Sequence, residues 1–189
     1  LRLPESRLTV ADIMSLLDVP AVRARFAIQE EHLPILQRWL TGAGVRWGLN
    51  AQHREGFSLP QGLAQNTWDF GLQRMLLGYA MGNSEAYAGI QPYDEVGGLD
   101  AALIGPISHF LDALQELHTE LSRMQSFAQW RTVFLNVLEQ FFFVEEDNDL
   151  LLVQRLRAGC EQWHQLCIDA QLDEALTLAV AREAWLTNV

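Results

Sequence analysis

Arg46, Trp47, Asn50, His53 and Arg54 form the group in this 189-residue sequence whose side chains could act together on a ligand. A guanidinium binds phosphate and stacks on planar groups, and an indole offers a face to an unpaired base. An arginine–aromatic group therefore suits single-stranded nucleic acid. The five lie between Gly44 and Gly62, in chain with no clean hydrophobic period, where packing does not consume every side chain. The same residues admit a structural reading, in which Trp47 and Trp68 are buried together and Arg46 and Arg54 pair with Asp69 or a nearby acid. The structural reading is the favoured one, because large aromatic side chains in a chain with six tryptophans mostly build core.

Other constellations are weaker. Cys160, His164 and Cys167 fall within about 60° of one another on an ideal helix, yet tetrahedral zinc needs four ligands, or three and a water, which one helix cannot wrap around an ion. Both cysteines also share an apolar seam with Leu156 and Trp163, so burial as reduced thiols explains them better. Seven residues of helix separate them by about 10 Å, beyond disulfide reach. A carboxylate–histidine metal bundle requires Glu-x-x-His on each of two helices, and His109 and His118 with Glu116 and Glu120 do not supply it. Glu145, Glu146, Asp147 and Asp149 lack the order of an EF-hand loop and are better explained as the acidic start of a helix. We expect no catalytic, cofactor-binding or metal-ligating residues.

All thirteen basic residues are arginine. Without lysine there is no Walker A loop and no Schiff-base chemistry. Charge is uneven: residues 1–60 carry seven arginines against six acids, a net +1, whereas residues 61–189 carry six against eighteen, a net −12. Phosphate binding depends on cationic side chains, so any nucleic-acid contact belongs to the first third and duplex binding by the whole chain should be weak. The longest apolar cluster, Phe141 to Val144, is far short of the ~18 residues that span a membrane. A cytoplasmic chain is the expectation.

The elements that must position these residues read as helices throughout. Thr9 with Asp12 caps a helix through Ile13, Leu16 and Leu17, which ends at Val19-Pro20. A short helix through Val22 and Phe26 follows, then one over residues 28–40 with Leu33, Leu36 and Leu40 on one side. Residues 45–63 form an irregular connection with one helical turn near Ala51 to Arg54. Thr67 or Asn66 caps a helix in which Trp68, Leu72, Met75, Leu76 and Tyr79 recur at helical spacing, flanked by Gly71 and Gly78, where close backbone packing is expected. After a second irregular connection at 82–98, Leu103, Ile107, Phe110, Leu114, Leu117, Leu121 and Met124 step by three and four, with Pro106 expected to kink the start. Ser126 and Gln129 form a capping box for a helix carrying Trp130, Phe134 and Phe141. Two more helices carry Val153 to Cys167 and Leu178 to Leu186. The expected class is all-α: an irregular multi-helix bundle with long helical hairpins, one domain over 1–189, in which 1–98 holds short helices and loops and 99–189 long antiparallel helices.

Several quoted stretches carry a family resemblance: Gly44-Val45-Arg46-Trp47-Gly48-Leu49-Asn50, His53-Arg54, Asn66-Thr67-Trp68, and Gly71 through Gly78-Tyr79-Ala80-Met81. Leu16 to Pro20, Arg25-Phe26 and Pro92-Tyr93-Asp94-Glu95-Val96 extend it. In these the chain resembles the RecC family, the gamma subunit of bacterial exodeoxyribonuclease V. The resemblance implies a helicase-like subdomain of the 2B-insertion type, without ATP hydrolysis or cleavage of its own, acting in double-strand-break repair and homologous recombination. It also implies RecB-like and RecD-like partner subunits and DNA, as a single strand, in the parent complex. Arg46, Trp47, Asn50, His53 and Arg54 are then the candidate contacts to DNA or to a subunit.

The sequence opens on Leu1 without an initiator Met and stops at Val189 within an apolar helical pattern, which reads as an internal piece of a longer subunit. Two other classes stay open at this point: an autonomous helical adaptor for a protein partner, and a metalloenzyme bundle, disfavoured by the ligand spacing above.

Overall fold

The structure is a computed structural model and describes residues 1–144 and 147–189. Among the described residues it contains nine α-helices, three 3-10 turns and no strand; the only β pairings are the isolated bridges Thr9–Trp47, Tyr87–Ile90 and Gln125–Leu176. The helices are α1 Val10–Leu17, α2 Pro20–Arg25, α3 Leu33–Gly42, α4 Ala51–Glu55, α5 Trp68–Met81, α6 Ile104–Leu121, α7 Phe127–Phe141, α8 Asp147–Asp169 and α9 Leu178–Leu186. The chain groups into two compact units, Glu5–Gln115 and Glu116–Val189 with Leu1–Pro4, and the boundary falls inside α6.

In the unit Glu5–Gln115, local chemistry sets the helix starts. The Thr9 hydroxyl accepts from the Asp12 amide at 3.2 Å and the Asp12 carboxylate accepts from the Thr9 amide at 2.8 Å, the reciprocal box that satisfies two orphan donors of α1. Pro20 opens α2, where its missing N–H costs nothing. The helix expected from residue 28 begins later. Ala27 takes a left-handed φ of 54°, Glu30–His32 is a 3-10 turn, and α3 starts at Leu33, with Pro34 in its first turn. Ile13, Leu17, Phe26, Leu36, Trp39 and Leu40 are buried. Phe26 meets Phe110 of α6 edge-on at 5.0 Å.

Helix α5 buries Trp68, Gly71, Met75 and Gly78, while Leu76 and Tyr79 of the expected stripe are exposed. The glycines lie on the buried face because neighbours come too close for a side chain. A Cβ on Gly78 would lie 1.7 Å from the Tyr93 carbonyl oxygen, and one on Gly71 would lie 2.2 Å from Val45 Cγ2. Arg74 fastens α5 to both adjoining connections, with Nη1 donating to the Ala43 carbonyl at 2.7 Å and Nε to the Gln91 carbonyl at 2.8 Å.

In the unit Glu116–Val189, α8 packs on α7 and α9. Ser126 and Gln129 form the expected capping box of α7. The core stacks aromatics, with Phe134 against Trp185 at 4.5 Å and against Trp130 at 5.5 Å between centroids. Two buried indole N–H groups find carbonyls, Trp130 that of Leu176 at 2.9 Å and Trp185 that of Leu156 at 2.8 Å. Met124, expected to end the α6 stripe, lies past the helix end and is exposed. Pro106 sits in the first turn of α6, behind a 3-10 turn at Gly98–Leu103. Asp147 and Asp149 occupy the first turn of α8, as expected; Glu145 and Glu146, assigned to the same acidic start, lie outside the described residues.

Candidate functional site

The connection between α3 and α5 is irregular, so its conformation must be held by side chains. Arg54 holds it. On the last turn of α4 this arginine is only 7% exposed. Its Nε and Nη2 both donate to the Trp47 carbonyl, at 3.3 and 2.9 Å, and its Nη1 donates to the carbonyls of Leu63 at 3.3 Å and Gln65 at 2.7 Å. One planar fork therefore ties together three points of the connection, a use that the multiple donors of guanidinium permit. Burial pulls its pKa below the ordinary arginine value. The expected acid partner is replaced by backbone oxygens, and Asp69 instead accepts from the Gln73 side chain at 3.2 Å.

Trp47 is half-buried. The Arg54 guanidinium carbon lies 4.7 Å from its ring centroid, that of Arg7 lies 5.6 Å away, and Phe57 meets it edge-on at 5.6 Å. Trp68, by contrast, is 1% exposed, and its indole N–H donates to the Leu8 carbonyl at 2.7 Å. Gly48 permits this arrangement twice over. Its φ of +80° suits only glycine, and a Cβ there would lie 3.0 Å from Arg54 Cγ.

The other expected residues divide by role. Asn50 caps α4, accepting from the His53 amide at 2.9 Å. His53 is buried, its Nδ1 accepting from the Leu49 amide at 3.3 Å and its ring 5.3 Å from Phe57. Arg46 is exposed and donates to its neighbour's carbonyl, Val45, at 3.2 Å. Trp47, His53 and Arg54 are thus gathered with Phe57, while Arg46 stays at the surface.

Arg7 is the member that sequence reasoning missed. It stands forty residues before Trp47 and reaches it because Gly48 donates to the Arg7 carbonyl at 2.8 Å beside the Thr9–Trp47 bridge. No local spacing announces that contact. Arg7 and Arg46, both exposed, are the cations this region leaves to solvent, and Arg7 lies over the half-buried ring of Trp47. The arrangement can bind an anion beside an aromatic ring.

Elsewhere the weighed constellations are accounted for by packing. Cys160 and Cys167 are buried free thiols, and burial pushes the Cys160 thiol up to about 11. Glu161 and His164 form a Glu-x-x-His pair in α8, but Glu161 is committed to a two-bond pair with Arg131 and the His164 ring lies 5.2 Å from Phe127. Among the described residues no three His, Cys, Asp or Glu side chains converge on a point where a metal ion could sit, and no helix is long and apolar enough to cross a membrane.

The sequence profile of the RecBCD enzyme subunit RecC fourth domain matches residues 1–189, the whole chain. The chain belongs to the RecC family. It is 34% identical over 189 residues to the RecBCD enzyme subunit RecC of Escherichia coli, covering 97% of this chain and 16% of that protein. It is 38% identical over 153 residues to RecC of Haemophilus influenzae, covering 78% and 13%, and 31% identical over 132 residues to RecC of Mycobacterium tuberculosis, covering 69% and 12%. The chain thus spans a small part of the RecC proteins that it matches.

Proposed function

We propose that this chain is a non-catalytic structural and DNA-guiding domain of the RecC subunit of exodeoxyribonuclease V, acting in double-strand-break repair and homologous recombination beside RecB and RecD in the cytoplasm. The observation that carries this reading is the division of labour at the candidate site. Arg54 is consumed in fixing the connection, and Asn50 and His53 are consumed in building α4, so the region is a rigid mount. What the mount presents is two exposed cations, Arg7 and Arg46, with Arg7 over the half-buried ring of Trp47, and arginine with an aromatic is the chemistry that grips a single strand. The lack of lysine rules out a Walker A loop, in keeping with a role without ATP hydrolysis of its own.

A photocrosslinking amino acid placed at Arg46 in the intact subunit, assembled with RecB and RecD on a DNA end, tests the reading. Capture of the unwound strand is the expected result. Capture of RecB or RecD instead would make this a subunit contact, and capture of neither would remove the region from the functional surface. The substitution Arg46→Ala should lower processive unwinding most at low salt, and the difference from the parent should narrow as salt rises, because the phosphate contact that it removes is itself weakened by counterions.

A further inference from the structure

Helix α8 is two helices in character. From Gly159 onward it buries Gly159, Cys160, Trp163 and Cys167 against its neighbours. From Asp147 to Ala158 no residue is buried, although this stretch carries Leu150, Leu151, Leu152 and Val153 in succession. Leu150 is 40% exposed, Leu151 57% and Leu152 52%, and Phe143, just ahead of the helix, is 49% exposed. Three consecutive leucines on a helix point across more than half of its circumference. The turn Leu150–Val153 is thus apolar on most sides, and such a surface belongs inside a structure.

We propose that the arm Asp147–Ala158 inserts into an apolar groove with an arginine- or lysine-bearing rim on the remainder of the RecC subunit. Three observations select this occupant. The leucines face several directions, so a groove that encloses the arm fits and a flat face does not. The tip is acidic, with Asp147 and Asp149 both exposed in the first turn and without a cation paired to them among the described ion pairs, so a cationic rim at that end complements it where an acidic one would repel it. The chain covers 16% of the Escherichia coli RecC that it resembles, so in a protein of that kind most of the polypeptide is available nearby, at the high effective concentration that covalent linkage gives. Arg157 at the arm's base is already committed to Glu139 at 3.0 Å, which anchors the arm to α7 and leaves its tip to the groove.

Amide hydrogen exchange over 147–158 tests this, measured in the 189-residue chain, in the full-length RecC subunit alone, and in the complex with RecB and RecD. The expected result is fast exchange in the 189-residue chain at all concentrations, and exchange slowed about tenfold or more in the subunit alone, as a fraying segment becomes packed. Leu151→Glu with Leu152→Glu should restore fast exchange in the full-length subunit and leave the melting temperature of the 189-residue chain unchanged. Protection that appears only when RecB or RecD is added would overturn the proposal in favour of a subunit contact. Protection of the 189-residue chain that rises with its concentration would overturn it in favour of a second copy, and fast exchange in all three would mean that the arm has no occupant.

Discussion

The guanidinium of Arg54 takes the Trp47 carbonyl with two donors and lies 4.7 Å from the centroid of the same residue's ring. One side chain therefore fixes both the backbone and the indole of its partner. Arg54→Ala would strip the carbonyls of Trp47, Leu63 and Gln65 of a charged donor in a largely dry setting, and should destabilise the chain by about 2–4 kcal/mol. Arg46→Ala, at an exposed position with one neighbouring bond, should change stability by less than about 0.5 kcal/mol. Urea unfolding of the two variants separates them, and equal losses would mean that Arg54 is not the support described.

Gly78 and Gly105 should respond oppositely to a methyl group. A Cβ on Gly78 runs into the Tyr93 carbonyl, and the backbone at Tyr93 and Asp94 must move, whereas a Cβ on Gly105, in α6, meets nothing within 4 Å. Gly78→Ala should cost about 1–3 kcal/mol as an overpacked contact. Gly105→Ala should add about 0.5–1 kcal/mol by restricting the unfolded chain and favouring helix. Thermal melting of both proteins checks the pair, and a neutral Gly78→Ala would show that the connection at 93–94 yields freely.

These two cases mark what the sequence disclosed and what it did not. Helix starts were legible because their causes are local: Thr9 with Asp12, Ser126 with Gln129, and Thr67 before α5 each satisfy amides three residues away. The close approach at Gly71 and Gly78 was also legible as two costly glycines. The face that they define was not, because Leu76 and Tyr79 continue the helical spacing, and only the distant Val45 and Tyr93 decide which side is buried. At the candidate site, Trp47 and Arg54 could be singled out by type. Their arrangement could not be, since carbonyl acceptors at 47, 63 and 65 have no signature in side-chain identity, and Arg7 arrives from another part of the chain.

Two buried acids make the fold sensitive to alkali. Burial and a 2.9 Å hydrogen bond to Glu95 push Tyr93 from 10.0 up to about 12, and burial pushes Cys160 from 9.0 up to about 11. Each group holds its proton more tightly in the folded state than in the unfolded one. Their contributions are therefore complete below pH 9.0 and shrink as the unfolded chain ionises first, across pH 9.0 to about 11 for Cys160 and 10.0 to about 12 for Tyr93. Unfolding free energy should fall over that range, and Tyr93→Phe with Cys160→Ala should flatten the slope. An unchanged slope in the double variant would assign the alkaline loss to other groups.

Trp185 joins α9 to α7 and α8 by two separable interactions, a stack on Phe134 at 4.5 Å and an indole donor to the Leu156 carbonyl at 2.8 Å. Trp185→Phe keeps an aromatic ring and removes the donor. The Leu156 carbonyl sits within α8, so its loss of a second partner should cost only about 1 kcal/mol. Trp185→Ala removes the ring as well and leaves a cavity beside Phe134, for which about 3–5 kcal/mol is expected. The proportion between the two losses reports how α9 is held: if the Phe variant is as unstable as the Ala variant, the hydrogen bond dominates, and if both are mild, α9 is not an integral part of the unit. Circular dichroism with chemical denaturation on the three proteins gives that proportion directly.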